Sequence, residues 1–264
     1  MAIYDHVYPF VAGAMHAMYL TSFLLIPLML VEVFAPAQRL HWRTIGFNLV
    51  YAPVFLVLQS LVIHPTAAAV IPFVPENIFG GRPQEWPWWK AAVIVLAYLL
   101  SFDFCYYWLH RAQHHWPFLW RFHRFHHSDV SLAAASSFRH HWLEEFFRYF
   151  AIAIPLLCVF GPIQLAAPLL GLSMGAYGLF VHWNTRLELG PLTGVIVGPR
   201  YHRIHHSSAP EQINRNFATF FPILDKLFGT QYLPREGDHP ITGINEVKRP
   251  NSILQLLPIP ARDV

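Results

Sequence analysis

The chain has little charge and less cysteine. Only 18 lysines and arginines and 15 aspartates and glutamates occur in 264 residues, so 12% of the chain is charged while 55% is hydrophobic. An ordinary soluble domain is about a quarter charged. This deficit excludes a surface solvated all round and points to a membrane protein. The two cysteines, Cys105 and Cys158, both fall in apolar runs, which argues against a disulfide framework and a thiolate metal site. No basic residue precedes Arg39, and no small-residue cleavage site follows, so the first apolar run is expected to be retained rather than removed as a signal. A Gly-rich dinucleotide fingerprint and a cysteine-cluster or haem-like module are missing from residues 1–100 and 207–264.

What is present is apolar length. Pro9 to Phe34, Ile45 to Ile63 and Ala91 to Leu109 approach or exceed the roughly 17–25 residues that cross a bilayer. A longer run from Phe146 to Val181 is interrupted by Gly161-Pro162 and reads as a helical hairpin. The expectation is an all-α integral membrane protein of about four to five transmembrane helices. It is read as one domain over 1–264, with its motifs in about 100–235 and a polar tail at 236–264. Loops rich in Lys and Arg stay on the cytoplasmic side, and Arg39, Arg43, Arg111, Arg121, Arg124 and Arg139 then share that side, leaving Arg82 and Lys90 opposite. The same threading brings His110 to His141, His182 and His202 to His206 out on one cytoplasmic face, of a bacterial inner membrane or the endoplasmic reticulum.

Histidine is the exception to this poverty of polar groups. There are 17, and six of them lie in "HRAQHHWPFLWRFHRFHHSD", His110 to Asp129. The spacing HxxHH recurs in "YHRIHHSS", Tyr201 to Ser208; with this many histidines one such triplet is expected by chance only about 0.07 times. On a helix, residues i, i+3 and i+4 share a face, so His123, His126 and His127 form one half-site and His202, His205 and His206 another. His110 and His114 lie one turn apart, and His182 closes the hairpin at the same depth. Nine imidazoles suffice for two metal ions with open positions, whereas a single zinc needs four ligands. Imidazole suits iron, copper, nickel and zinc, so the ligand type does not choose the metal. His141 is a tenth candidate ligand. His140 reads as structural, and His115 points about 100° away from His114. His6, His16, His41, His64 and His239 read as ordinary core or interfacial groups.

The ordered motifs "HRAQH", "LWRFHRFHHS", "FVHWN" and "YHRIHHS", with "DFCYYWLHR" before and "DKLFGTQYLP" after, resemble those of the fatty acid hydroxylase and sterol desaturase superfamily. The likeness covers about residues 100–235. It implies a helical membrane fold with a cytosolic cap holding a di-iron centre, in which O2 is activated to oxidise a lipid C–H bond. It carries the ligand role to His110, His114, His123, His126, His127, His182, His202, His205 and His206. Where many members have a TALRFHPxE stretch, this chain has "ASSFRHHWLE". Arg139, His141 and Glu144 match that pattern and His140 and Trp142 depart from it, which bears on substrate class more than on metal binding.

Hydroxylating an unactivated carbon needs a redox metal, and zinc lacks the redox step, so iron is expected. With no nucleotide module in the flanking segments, electrons are expected from a separate NAD(P)H-linked electron-transfer protein. The other partners expected are a lipid drawn from the bilayer and the membrane itself, with no nucleic acid. Asp103, seven residues before His110 on the same helical face, is expected to accept a hydrogen bond from a ligand histidine and fix its tautomer, an interfacial structural role being the alternative. Arg111, Arg124 and Arg203 are expected on a cytoplasmic or headgroup face, docking of the electron donor being the other reading, with Trp108, Trp116, Trp120 and Trp183 as interfacial anchors. A lipid desaturase is the nearest enzymatic alternative. A metal transporter or store would spread its ligands through the depth of several spans, and a bis-histidine haem protein would pair histidines within them.

Overall fold

The computed structural model describes residues 19–20, 22–75, 78–79, 85–161, 166–235, 237–244 and 247–258. The start of the run expected from Pro9, with His6, His16 and Arg82, lies outside the described residues. Among the described residues the chain is helical with no strand, apart from one isolated antiparallel bridge between Ser207 and Thr242.

The two long apolar runs form the two long helices. Helix α2 (Trp42–Val70) follows α1 (Ser22–Phe34) and keeps Pro53 and Pro65 inside it. In lipid every other backbone group has to be bonded internally, so the helix persists around them. Val50, Val57 and Leu61, 72%, 61% and 67% exposed, form a stripe at helical spacing that suits lipid, while Tyr51, Ala52 and Phe55 on the opposite side are buried. Helix α3 (Trp88–His115) has 28 residues, about 42 Å at 1.5 Å per residue, against a hydrocarbon core of about 30 Å. A span that enters at Trp88 therefore has its last turns, with His110 and His114, beyond the apolar layer.

Pro117 then reverses the chain. The residue before a proline is pushed out of the α region, and Trp116 is extended (φ −97°, ψ 120°), so α3 stops there. The same proline starts α4 (Pro117–His127) near its first position, where its missing N–H costs nothing. The tight reversal lays α4 back on α3 with His123 and His127 facing His110 and His114.

Downstream, α5 (Glu144–Arg148) passes through a π turn (Tyr149–Ala153) into α6 (Ile154–Phe160). Pro155 has no N–H for the carbonyl of Ala151, which accounts for the slipped register just before it. Gly161 (φ 65°) ends α6, where the Gly-Pro interruption predicts a break, and the next described helix is α7 (Ala166–His182). Of the four to five crossings expected, α2 and α3 are the two described helices long and apolar enough to cross unaided. The stretch from α5 to α6 is shorter, divided by the π turn, and carries Glu144, Glu145 and Arg148 at its start. Short α8 (Pro199–His205) and α9 (Ile223–Leu227) complete the histidine-bearing end.

A core of Phe125, Ala134, Ala135, Phe138, Leu179, Tyr51 and Phe55 ties α2, α4 and α7 together behind the histidines. Gly178 sits at the tightest point, since a Cβ there would lie 2.8 Å from Ser137 Oγ. Buried Glu32 reaches from α1 to accept the N–H groups of Ala134 and Asn184, at 2.7 and 2.8 Å.

Candidate metal centre

Nine histidines from α3, α4, α7 and α8 converge in two groups. His110, His114, His123, His127 and His205 form one; His126, His182, His202 and His206 form the other; in each, one ring nitrogen per residue lies within 4.8 Å of all the rest. In the first, Nε2 of His123 is 3.1 Å from Nε2 of both His110 and His127, and His114 Nε2 is 3.1 Å from His127 Nε2. In the second, His182 Nε2 lies 3.3 Å from His126 Nε2 and 3.1 Å from His202 Nε2, which is 3.1 Å from His206 Nε2. The groups touch: the rings of His127 and His206 stack at 4.4 Å between centroids.

The opposite ring nitrogens show what the inward ones do. Nδ1 of His110 donates to the carbonyl of Phe217 (2.9 Å), that of His205 to Arg215 (2.8 Å), that of His126 to Arg139 (3.1 Å) and that of His182 to Gly178 (2.7 Å). His114 Nδ1 donates to Asn214 Oδ1 (3.2 Å) and His123 Nδ1 to Glu144 Oε2 (3.3 Å). A carbonyl or carboxylate only accepts, so the proton sits on Nδ1 and Nε2 keeps a bare lone pair. Lone pairs facing one another across 3.1 Å repel unless a cation lies between them. Metal–nitrogen bonds of about 2.1 Å place neighbouring ligand atoms about 3.0–3.4 Å apart, the separation seen here. His205 Nε2 is buried with no hydrogen-bond partner among the described residues, an atom that a metal would satisfy. The residues fit metal ions at both groups.

Electrostatics favour the ligand form. Burial, reinforced by neighbouring imidazoles, holds His126, His127, His202 and His206 well below the usual histidine range, and burial lowers His205 to about 3. At neutral pH these rings are uncharged and free to ligate. Burial opposes the charge of Glu144, yet His123 and His140 hold its carboxyl well below the carboxylate range.

The fatty acid hydroxylase family model matches residues 95–230, just over half of the chain, and takes in all nine histidines. The chain belongs to the fatty acid hydroxylase family. It is 33% identical over 152 residues to ornithine lipid hydroxylase OlsE of Rhizobium tropici, covering 58% of this chain and 45% of that one. To the human (Homo sapiens) alkylglycerol monooxygenase it is 30% identical over 170 residues, 62% of this chain and 36% of the relative. To very-long-chain aldehyde decarbonylase CER1 of Arabidopsis thaliana it is 29% identical over 164 residues, 56% and 25% of the two chains. The chain thus spans less than half the length of these curated relatives. No solved structure matches it.

Each HxxHH triplet is divided between the groups rather than forming one half-site: His126 parts from His123 and His127, and His205 from His202 and His206. Three further expectations for this family member need correction. Asp103 holds no imidazole directly: Oδ1 accepts the N–H of Thr219 (2.7 Å) and Phe220 (3.2 Å), and Oδ2 that of Phe221 (2.8 Å). A carboxylate seven residues below His110 faces the same side but a different depth, where the 219–221 backbone crosses α3. His141 belongs to neither group. Its Nε2 meets the carbonyl of Leu257 (3.1 Å) and its Nδ1 accepts Leu143 N–H (3.1 Å), so it ties α5 to the C-terminal segment. Arg124 and Arg203 are buried rather than facing a headgroup or partner, and Arg203 donates to Leu132 O (2.9 Å), Asn184 Oδ1 (3.2 Å) and Gln38 Oε1 (2.9 Å).

Other placements agree with the family reading. His115 is exposed, and His140 stacks on His126 at 4.2 Å as a packing layer. Trp120 does more than anchor: its ring lies 5.0 Å from His114 and 5.5 Å from His127, closing the outer side of the first group. The sequence reasoning missed Asn214 and Asn216, and gave no role to Asp225, the first residue of "DKLFGTQYLP". For the asparagines the local signal was "NRNF", two residues of a type that tolerates left-handed backbone.

Proposed function

We propose that this chain is a membrane-bound, O2-dependent di-iron oxidoreductase that hydroxylates a C–H bond of a lipid, a fatty acyl chain, sterol or related molecule. His110, His114, His123, His127 and His205 would hold one iron and His126, His182, His202 and His206 the other. Bound there, iron would supply the redox chemistry by which O2, two electrons and two protons put one oxygen into C–H while the other leaves as water. The observation that carries the reading is a cavity of about 370 Å³ that reaches His110 of one group and His126, His182 and His202 of the other. Phe55, Ile63, Phe102, Phe138, Val181 and Phe220 line it, from helices whose outer faces suit lipid. Such walls bind an alkyl chain, exclude water, and orient a carbon toward both groups.

The opposite side is different. A cavity of about 400 Å³ there is bordered by His114, Trp120, His127, His205, Ser208 and Asn214. Substrate then enters from the bilayer while electrons come from a separate NAD(P)H-linked protein on the polar side, the cytoplasmic face in this reading. Ornithine lipid hydroxylase and alkylglycerol monooxygenase are both named for oxygen insertion into a lipid, which supports hydroxylation over other family chemistry.

The test compares lipid extracts of cells with and without the protein, and with a His126→Ala variant, by mass spectrometry. Hydroxylation predicts a lipid gaining one oxygen only with the intact chain. A loss of two hydrogens would make it a desaturase, and unchanged lipids with full iron loading would overturn the enzyme reading.

A further inference from the structure

Five consecutive backbone N–H groups, from Phe217 to Phe221, are taken by two buried carboxylates. Asp225 accepts those of Phe217 (2.8 Å) and Ala218 (3.0 Å), and Asp103 those of Thr219, Phe220 and Phe221. Asp225 is itself fixed by the hydroxyls of Tyr201 (2.9 Å) and Thr230 (2.7 Å). Just upstream, Asn216 donates to the carbonyls of Tyr201 (3.0 Å) and Tyr232 (2.9 Å) and accepts Tyr232 N–H (2.7 Å). The segment is bolted down from one side.

Its other side faces metal ligands. Within four residues it offers Asn214 Oδ1 to His114, the Arg215 carbonyl to His205 and the Phe217 carbonyl to His110. Asn214 and Asn216 both have φ of 59°, a left-handed conformation uncommon outside glycine. Alternating such residues with ordinary ones turns successive acceptors toward three imidazoles, and strain of this kind persists only where the surroundings hold it. All three histidines belong to the five-histidine group. The four-histidine group leans elsewhere, on the carbonyls of Arg139 and Gly178.

We propose that Asn214–Phe217 is the template of the five-histidine metal position alone, with Asn214 the residue that positions His114 within it. The inference rests on reading the two groups as metal positions. It makes the centre asymmetric, so that one metal can be loosened without the other. Asn214 is exposed, so its replacement leaves the core untouched.

Two variants separate the acceptor from the backbone. Asn214→Gly accommodates the left-handed φ but removes the oxygen; Asn214→Asp keeps the oxygen and also tolerates that φ. Metal-free protein in detergent micelles is titrated with Fe(II) under anaerobic conditions, and bound iron is examined by Mössbauer spectroscopy. In the wild type two equivalents bind. In Asn214→Gly one equivalent weakens by about 10–100-fold and its spectral component is lost, while the other, unchanged, shows the chain is folded. In Asn214→Asp both are retained. Equal weakening of both equivalents in Asn214→Gly, no weakening, or an Asn214→Asp as weak as Asn214→Gly overturns the template. A wild type that binds no iron overturns the metal reading and the template with it, and is recognised before any variant is made.

Discussion

Glu144 Oε2 lies 3.3 Å from His123 Nδ1 and 3.2 Å from Gln113 Nε2, with all three residues buried, so a single carboxylate on α5 fixes the ring that sits between His110 and His127. Removing it leaves the His123 N–H without an acceptor and its ring free to turn. Glu144→Ala is expected to weaken iron binding at the five-histidine group by about 10–100-fold, read by Fe(II) titration. Unaltered affinity would show that the His123 ring is held by its packing alone.

Asp103 works through the backbone. Replacing it with Asn keeps one acceptor oxygen but points an NH2 group at N–H donors from 219–221. Asp103→Asn is therefore expected to destabilise the protein by about 1–3 kcal/mol, seen as a lower thermal midpoint. A midpoint matching the wild type would remove the carboxylate from the structural role assigned to it.

His126 and His141 separate ligand from bystander. His126→Ala takes a nitrogen out of the four-histidine group and is expected to lower iron from two per chain toward one and abolish oxidation. His141→Ala loses its links to Leu143 and Leu257 and its packing against Phe122, none of them a metal contact, so iron stays near two per chain and stability falls by about 1–3 kcal/mol. Elemental analysis after iron reconstitution, which avoids zinc in imidazole sites, distinguishes the two. Iron loss in His141→Ala would return that residue to the ligand set.

Pro117 and Ser208 border one cavity on the polar side of the histidines. Cysteines placed at either position, in a background with Cys105 and Cys158 replaced, are expected to react with an impermeant thiol reagent from the same side of sealed vesicles, the cytoplasmic one. Labelling from opposite sides would be incompatible with His123 and His205 sharing a group.

Much of the centre was legible because it is local. The i, i+3, i+4 spacing of His123, His126 and His127 commits three rings to neighbouring faces of one short helix whatever the rest of the chain does. Even so, His126 joins one group and its neighbours the other, because rings about 100° apart on α4 point to different partners. Spacing gave the nine candidates; only the packing of α4 against α3, α7 and α8 sorted them into five and four. His141 misled because its sequence neighbourhood matched a family stretch, while its ring is claimed by Leu257, 116 residues away.

By itself the sequence determined that the chain is helical, apolar enough for a membrane and furnished with two histidine triplets at helical spacing, since composition and helical periodicity are short-range properties. Tertiary structure decided what holds those histidines. The carbonyls of Phe217, Arg215, Arg139 and Gly178 carry no side-chain signature, and every residue but proline offers the same N–H and C=O pair. That the Phe217 and Arg215 carbonyls meet imidazoles depends on where Asp103 and Asp225 pin the backbone, and Asp103 does so across more than a hundred residues, beyond the reach of any local pattern.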